Sequence, residues 1–159
     1  MYQEPILVFD FGSQFSQLIT RRIRELGVYA ILVHPDTSIS KIKELNPKGI
    51  IFSGGPASVC DQGSPKCDSN ILNLKIPILG ICYGMQLLVN LLGGEIANVG
   101  EREYGSAKLN LINNNKLFRD IPNEIKVWMS HGDQIKNLPS IFQSIASSVS
   151  CPHAAISHL

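Results

Sequence analysis

The sequence has little net charge, no long apolar run and few cysteines, and each shortage excludes a class of protein. Its 159 residues carry a formal net charge of +1, which gives no indication of a nucleic-acid or membrane partner. No apolar stretch approaches the roughly 18 residues that a membrane-spanning helix needs. The first residues, MYQEPILVFDFG, lack the basic region and cleavage site of a signal peptide. We therefore expect a cytoplasmic protein that binds neither nucleic acid nor membranes.

The cysteines indicate neither a zinc site nor a secreted protein. Their spacings match no zinc-binding pattern, and cytosolic proteins stay reduced, so four thiols and no bound metal are expected. Cys60 and Cys67 flank a Gly-Ser-Pro loop, which leaves a disulfide between them as the less favoured alternative. The four are Cys60, Cys67, Cys82 and Cys151.

Apolar runs that alternate with amphipathic segments predict an α/β fold. The hydrophobic content of 44% is that of one folded domain. Because the strands are apolar throughout and separated by helices, a doubly wound, mostly parallel sheet with flanking helices is expected. Strands are predicted at 6–10, 28–34, 49–56 and 76–82. Helices are predicted at 38–45, at 84–92 and through Leu18, Ile19, Ile23 and Leu26, the last ending at Gly27.

The pattern changes after residue 95, where a small antiparallel region is expected. Residues 106–112 (SAKLNLI) and 125–131 (IKVWMSH) alternate like partly exposed strands, and Asn113–Asn115 predicts a turn between them. Trp128 is expected in the core. The segments FQSIASSV and HAAI predict a final pair of strands.

The stretch GICYG, residues 80–84, resembles a nucleophile held on a sharp turn. It has the form G-x-C-x-G, in which the two glycines permit a strained turn between strand and helix. Cys82 would then lie over a helix N-terminus, whose dipole favours a thiolate, and the Tyr83 amide would form half of an oxyanion hole. The glycines of SGGP (53–56) are candidates for the second donor. The alternative is a buried structural cysteine.

Five motifs in order, DFGSQ, SGGP, GICYGMQ, REYG and VWMSHGD, resemble the class I glutamine amidotransferase domain of GMP synthases, over essentially the whole chain. The resemblance implies that Cys82 attacks the side-chain amide of glutamine, forming a thioester and releasing ammonia. It implies that Gly55 and Tyr83 are the backbone donors to the oxyanion. No cofactor is implied for this reaction.

The resemblance also implies a glutamine-binding set: Gln86, Ser130, His131 and Asp133. Each has a plainer alternative. Gln86 could be a solvated helix residue, Asp133 a turn cap, and His131 a residue that only orients a loop. Arg102 and Glu103 are expected to form a surface pair.

One part of the family pattern is missing from the sequence. The family takes its general base from a His-Pro-Glu motif, in which the glutamate orients the histidine, and here no histidine is followed by Pro-Glu. Residues 1–159 are therefore expected to be one amidotransferase domain, incomplete at its C-terminus and with little or no activity of its own. The four histidines are His34, His131, His153 and His158.

The family also pairs this domain with parts that the sequence does not contain. In the family, ammonia passes to an ATP-pyrophosphatase domain, which uses ATP and Mg²⁺ to aminate XMP to GMP, and the full-length enzyme is expected to be a homodimer through its dimerisation domain. Two alternatives stay open: another class I amidotransferase, or a non-catalytic fragment that binds glutamine or a partner. The DFGSQ and WMSHGD segments favour GMP synthase among the amidotransferases.

Overall fold

The computed structural model describes residues 4–112 and 115–159. The chain divides into two compact units, Met1–Leu91 and Leu92–Leu159. Asn113 and Asn114, in the predicted turn, lie outside the described residues.

The first unit is a parallel sheet flanked by helices, which confirms the predicted α/β architecture. The strand order is β2-β1-β3-β4, and neighbouring strands pair in parallel, with Phe9 opposite Phe52 and Phe52 opposite Gly80. The strands are β1 (Ile6–Phe9), β2 (Ala30–Val33), β3 (Gly49–Phe52) and β4 (Ile78–Gly80). The helices are α1 (Ser16–Glu25), α2 (Ile39–Leu45), α3 (Tyr83–Leu91) and a 3₁₀ helix at Ser69–Leu74.

The helix ends follow local rules that the sequence carries. At the start of α2, the Ser38 hydroxyl accepts a hydrogen bond from the Lys41 amide at 3.3 Å, and Asn46 ends the helix at φ 45°. Gly27 takes φ 77° after α1, and its amide donates to the Arg24 carbonyl at 2.9 Å. Among the described residues, no helix is long and apolar enough to cross a membrane.

Four aromatic side chains pack together near the carboxyl ends of β1, β3 and β4. Phe52 lies 5.3 Å from both Phe9 and Phe11, measured between ring centroids, and Tyr83 lies 5.4 Å from Phe11. All four are buried. This aromatic cluster joins the chain segments that follow three neighbouring strands.

The apolar face predicted for α1 is wrong at two positions. Leu18 is 42% exposed and Leu26 is 82% exposed, whereas the buried residues of the helix are Ser16 and Thr20. Both hydroxyls are satisfied, since Ser16 donates to Asp10 at 2.7 Å and Thr20 donates to the Ser16 carbonyl at 2.9 Å. Hydrogen bonding therefore allows a polar stripe to face the sheet.

The second unit is an antiparallel sheet in the order β6-β5-β7-β8, which confirms the predicted antiparallel region after residue 95. Its first strand begins earlier than predicted, at Glu95, because residues 95–105 pair with the far end of β6 in spite of their charges and glycines. The strands are β5 (Glu95–Leu111), β6 (Glu124–Asn137), β7 (Phe142–Ser147) and β8 (Ala155–His158). A short 3₁₀ helix, Lys116–Phe118, precedes β6.

Trp128 lies on the exposed face of β6, so the predicted core position is wrong. Its side chain is 78% exposed, while those of Val127 and Met129 on either side are partly buried. It stands opposite Ser106 of β5, next to an opposed pair of lysines, Lys108 and Lys126. Strand alternation thus places the indole among polar groups.

The two aromatic environments predict opposite stability effects. Trp128→Ala removes an exposed ring and should change the free energy of unfolding by no more than about 0.5 kcal/mol. Phe52→Ala opens a cavity in the aromatic cluster and should cost about 3–5 kcal/mol. Urea unfolding of both variants measures the difference. A larger loss for Trp128→Ala than for Phe52→Ala would contradict the assignment of the core.

Candidate active site

A sharp turn between β4 and α3 carries Cys82. The strand ends at Gly80, the helix begins at Tyr83, and Cys82 between them takes φ 48°. This left-handed conformation is uncommon for a residue with a side chain and is typical of strained functional turns. The structure thus has the strand–nucleophile–helix arrangement that the sequence predicts, and the Cys82 side chain is exposed.

The glycines on either side of Cys82 are required by close backbone packing. A Cβ atom at Gly80 would lie 2.6 Å from the backbone nitrogen of Met85. A Cβ atom at Gly84 would lie 2.4 Å from the carbonyl oxygen of Phe52. Because backbone atoms obstruct both positions, no other residue fits either without displacing the turn.

The glycine turn after β3 lies beside the thiol. A Cβ atom at Gly54 would be 3.6 Å from the Cβ of Cys82, and one at Gly55 would be 2.4 Å from the Phe11 carbonyl oxygen. Three strand ends therefore meet here, as expected for the carboxyl edge of a parallel sheet. In the sequence, these are the segments DFGSQ, SGGP and GICYG.

Two backbone amides near the thiol are available to an incoming ligand. Tyr83 is the first residue of α3, so its amide is one of the helix N-terminal donors that have no partner within the helix. Across residues 4–112 and 115–159, neither the Tyr83 amide nor the Gly55 amide donates to a protein acceptor. Both positions are those the sequence predicts for the oxyanion donors.

Burial by the surrounding protein raises the pKa of the Cys82 thiol above its ordinary value. The helix N-terminus alone predicts the opposite direction, because its dipole favours the thiolate. The desolvated turn outweighs it here, and the resting thiol is protonated at neutral pH. Attack on a substrate therefore requires a base.

Gln86 and the Tyr83 side chain are both buried within α3. The Gln86 amide donates to the Cys82 carbonyl at 3.0 Å, one helical turn away, and the alternative of a solvated Gln86 is wrong. The Tyr83 hydroxyl donates to the Pro65 carbonyl, which ties the turn to the loop before β4. The sequence did not indicate this bond, because Pro65 carries no motif.

The remaining predicted substrate residues lie together on β6 in the second unit. Ser130 is exposed, and Asp133 is buried and stands opposite Asn98 of β5. Asp133 is therefore a strand residue and not a turn cap. The backbone of His131 belongs to β6, but its side chain lies outside the described residues, as do the side chains of Arg102 and Glu103.

The cysteines agree with the prediction of four thiols. Cys60 is exposed, Cys67 is half-buried and Cys151 is buried, and all are reduced like Cys82. Burial raises the pKa of Cys67 to about 11. Within the part of the chain that the structure describes, no three His, Cys, Asp or Glu side chains gather as metal ligands would.

Sequence reasoning missed one residue that organises the site. Ser53 is completely buried and forms hydrogen bonds to the segments after β1 and β4. The only signal was its place at the head of SGGP.

The chain matches the family model for class-I glutamine amidotransferases over residues 7–159. It is 54% identical over 158 residues to the glutamine-hydrolysing GMP synthase of Bacillus licheniformis, and 51% identical to that of Aquifex aeolicus. These alignments cover 99% of the chain but 31% of each relative, so the chain spans about a third of their length.

Solved structures agree. A Thermoplasma acidophilum protein assigned to GMP synthase as one of its subunits is 31% identical and superposes with a TM-score of 0.87, over 99% of this chain and 79% of that one. A glutamine amidotransferase from Thermotoga maritima, at 19% identity and a TM-score of 0.77, shares the fold over 99% of this chain and 73% of its own. With the nucleophile turn in place and the family pattern matched almost throughout, the chain belongs to the class-I glutamine amidotransferases.

Proposed function

We propose that this chain is the glutaminase part of a glutamine-hydrolysing GMP synthase, which releases ammonia from glutamine for the amination of XMP to GMP. The observation that carries the proposal is the left-handed Cys82 turn beside the unpartnered amides of Gly55 and Tyr83. The names of the relatives support the choice of product.

The proposed reaction is nucleophilic acyl transfer. The Cys82 sulfur bonds to the side-chain carbonyl carbon of glutamine as its proton passes to a base, and the carbonyl electrons move to the oxygen. The amides of Gly55 and Tyr83 stabilise this oxyanion by hydrogen bonds. The carbon–nitrogen bond then breaks, and the nitrogen leaves as ammonia with the proton from the base. Water hydrolyses the thioester to glutamate and restores the thiol.

The buried Gln86 is proposed to contact the substrate, because it lies one helical turn beyond the nucleophile. Ser130, His131 and Asp133 are proposed to bind the α-amino and carboxylate groups of glutamine. A carboxylate such as Asp133 suits the ammonium group, and hydroxyl or amide donors suit the carboxylate.

The base is proposed to come from a segment that this sequence does not contain. His34 follows β2, and the strand order places β2 three strand spacings, about 14 Å, from β4. His34 is therefore too far from Cys82 for direct proton transfer. The His153 ring is already hydrogen-bonded to the Ser144 hydroxyl at 2.5 Å. A His-Pro-Glu segment would supply the base and its orienting carboxylate.

Ammonia is proposed to pass to an ATP-dependent synthetase domain or subunit, which would use ATP and Mg²⁺. No residue of this chain is proposed to hold either. The assembled enzyme is proposed to be a cytoplasmic homodimer.

Cys82 should react with a chloromethyl ketone analogue of glutamine faster than the other three cysteines do. The adjacent oxyanion donors assist attack on a ketone, whereas Cys67 and Cys151 are shielded and Cys60 lies on a surface loop. Labelling followed by peptide mapping measures the relative rates. Excess free glutamine should protect Cys82 alone, and preferential labelling of Cys60 would contradict the assignment.

The 159-residue chain alone should release ammonia from glutamine slowly or not at all. General acid–base catalysis is worth about 10²–10⁴ in rate. Fusing the matching C-terminal part of the amidotransferase domain of the Bacillus licheniformis relative should restore a gain of that order. Cys82→Ala in the fused protein is the control and should abolish turnover. Equal rates for the unfused and fused chains would show that a histidine already present acts as base.

A further inference from the structure

The Ser53 side chain connects the segments that form the site. Its hydroxyl accepts a hydrogen bond from the Phe11 amide at 3.0 Å and donates one to the Gly54 carbonyl at 2.8 Å. Its backbone amide donates to the Phe9 carbonyl at 3.1 Å, and its carbonyl accepts from the Gly84 amide at 3.1 Å. The residue is 0% exposed. One buried serine therefore joins β1, β3 and the start of α3.

The bond to the Gly54 carbonyl has a specific geometric effect. This carbonyl and the Gly55 amide belong to the same planar peptide group and point in opposite directions. When the Ser53 hydroxyl holds the carbonyl, the direction of the Gly55 N–H is fixed as well. That N–H is the donor that has no protein acceptor among the described residues.

Rotation of this peptide would otherwise cost little. Both residues around it are glycines, which adopt backbone conformations closed to other residues. A serine hydroxyl has one hydrogen, and here it is directed to the Gly54 carbonyl while the oxygen accepts from Phe11. The orientation of the hydroxyl is thus determined by β1 and transferred to the Gly54–Gly55 peptide.

We propose that Ser53 is a positioning residue that holds the Gly54–Gly55 peptide with its N–H toward the oxyanion. The proposal rests on the proposed function, because it assigns a catalytic use to the Gly55 amide. Ser53 does not touch the substrate and acts through the peptide that follows it.

Two reagents that differ in one step test this role at Cys82. A chloromethyl ketone analogue of glutamine is attacked at its carbonyl, which creates an oxyanion; the sulfur then displaces chloride, and the sulfur–carbon bond replaces the carbon–chlorine bond. Iodoacetamide loses iodide by direct displacement, and no oxyanion forms. The ratio of the two rates at Cys82, determined by peptide mapping, therefore reports on the oxyanion donors and cancels changes in thiol ionisation.

Ser53→Ala should lower the chloromethyl ketone rate by about 10–100-fold, somewhat less than the 10²–10³ found for complete loss of an oxyanion donor, and leave the iodoacetamide rate unchanged. Ser53→Cys keeps the side-chain volume but donates a weaker hydrogen bond, so it should lower the ratio in the same direction without a folding defect. Only the adduct at Cys82 is counted.

Ser148→Ala is the matched control, because Ser148 is also buried and its hydroxyl accepts from a backbone amide, that of Cys151, at 3.1 Å. It should lose similar stability in thermal unfolding and keep the rate ratio. An unchanged ratio in both Ser53 variants, or equal losses with the two reagents, would overturn the proposal. Failure of the unaltered protein to react with the glutamine analogue would instead overturn the proposed function.

Discussion

The contact between the backbone of Gly84 and the end of β3 is the constraint on which the rest of the site depends. The Gly84 amide donates to the Ser53 carbonyl, and its Cα leaves no room for a side chain against Phe52. The first turn of α3 is thereby held against the sheet. Cys82, the residue between strand and helix, must then take its left-handed conformation, which costs about 1–3 kcal/mol. Packing of the aromatic cluster beneath the turn offsets this strain.

The same contact explains how distant segments reach one site. Phe11, Ser53 and Cys82 follow three neighbouring parallel strands, so their turns share one edge of the sheet. Hydrogen bonds through Ser53 and the Phe11–Tyr83 ring contact then couple the turns to one another. The donors for an oxyanion are backbone amides, which the fold itself orients. The acid–base group is a separate requirement, which a rigid sheet edge does not meet.

The strands and helices of the first unit were predictable because local signals are consistent there. Apolar runs, a serine cap at Ser38 and glycine or asparagine stops coincide with the observed ends. The buried stripe of α1 was not predictable from hydrophobicity, since Ser16 and Thr20 face inward through hydrogen bonds that only the fold creates. For Trp128, alternation with Val127 and Met129 gave the right answer, and the size of the ring wrongly suggested burial.

The candidate site divides in the same way. Cys82, Gly55, Tyr83 and Gln86 could be found from motifs because each local turn demands glycines at fixed spacing. Ser53 could not, because the group it accepts from, the Phe11 amide, is 42 residues away in the chain and is brought near by strand pairing. The start of β5 at Glu95 was missed for a related reason, as its register depends on residues near Asn137.

The raised pKa of Cys82 bears on the chemical durability of the protein. Peroxides oxidise the thiolate and not the neutral thiol, so a cysteine that is exposed but protonated is oxidised slowly to the sulfenic acid. Desolvation by the turn therefore protects an accessible nucleophile from oxidative damage between encounters with substrate. The thiol becomes vulnerable only when a base removes its proton, and a bound substrate then occupies the space through which an oxidant would approach.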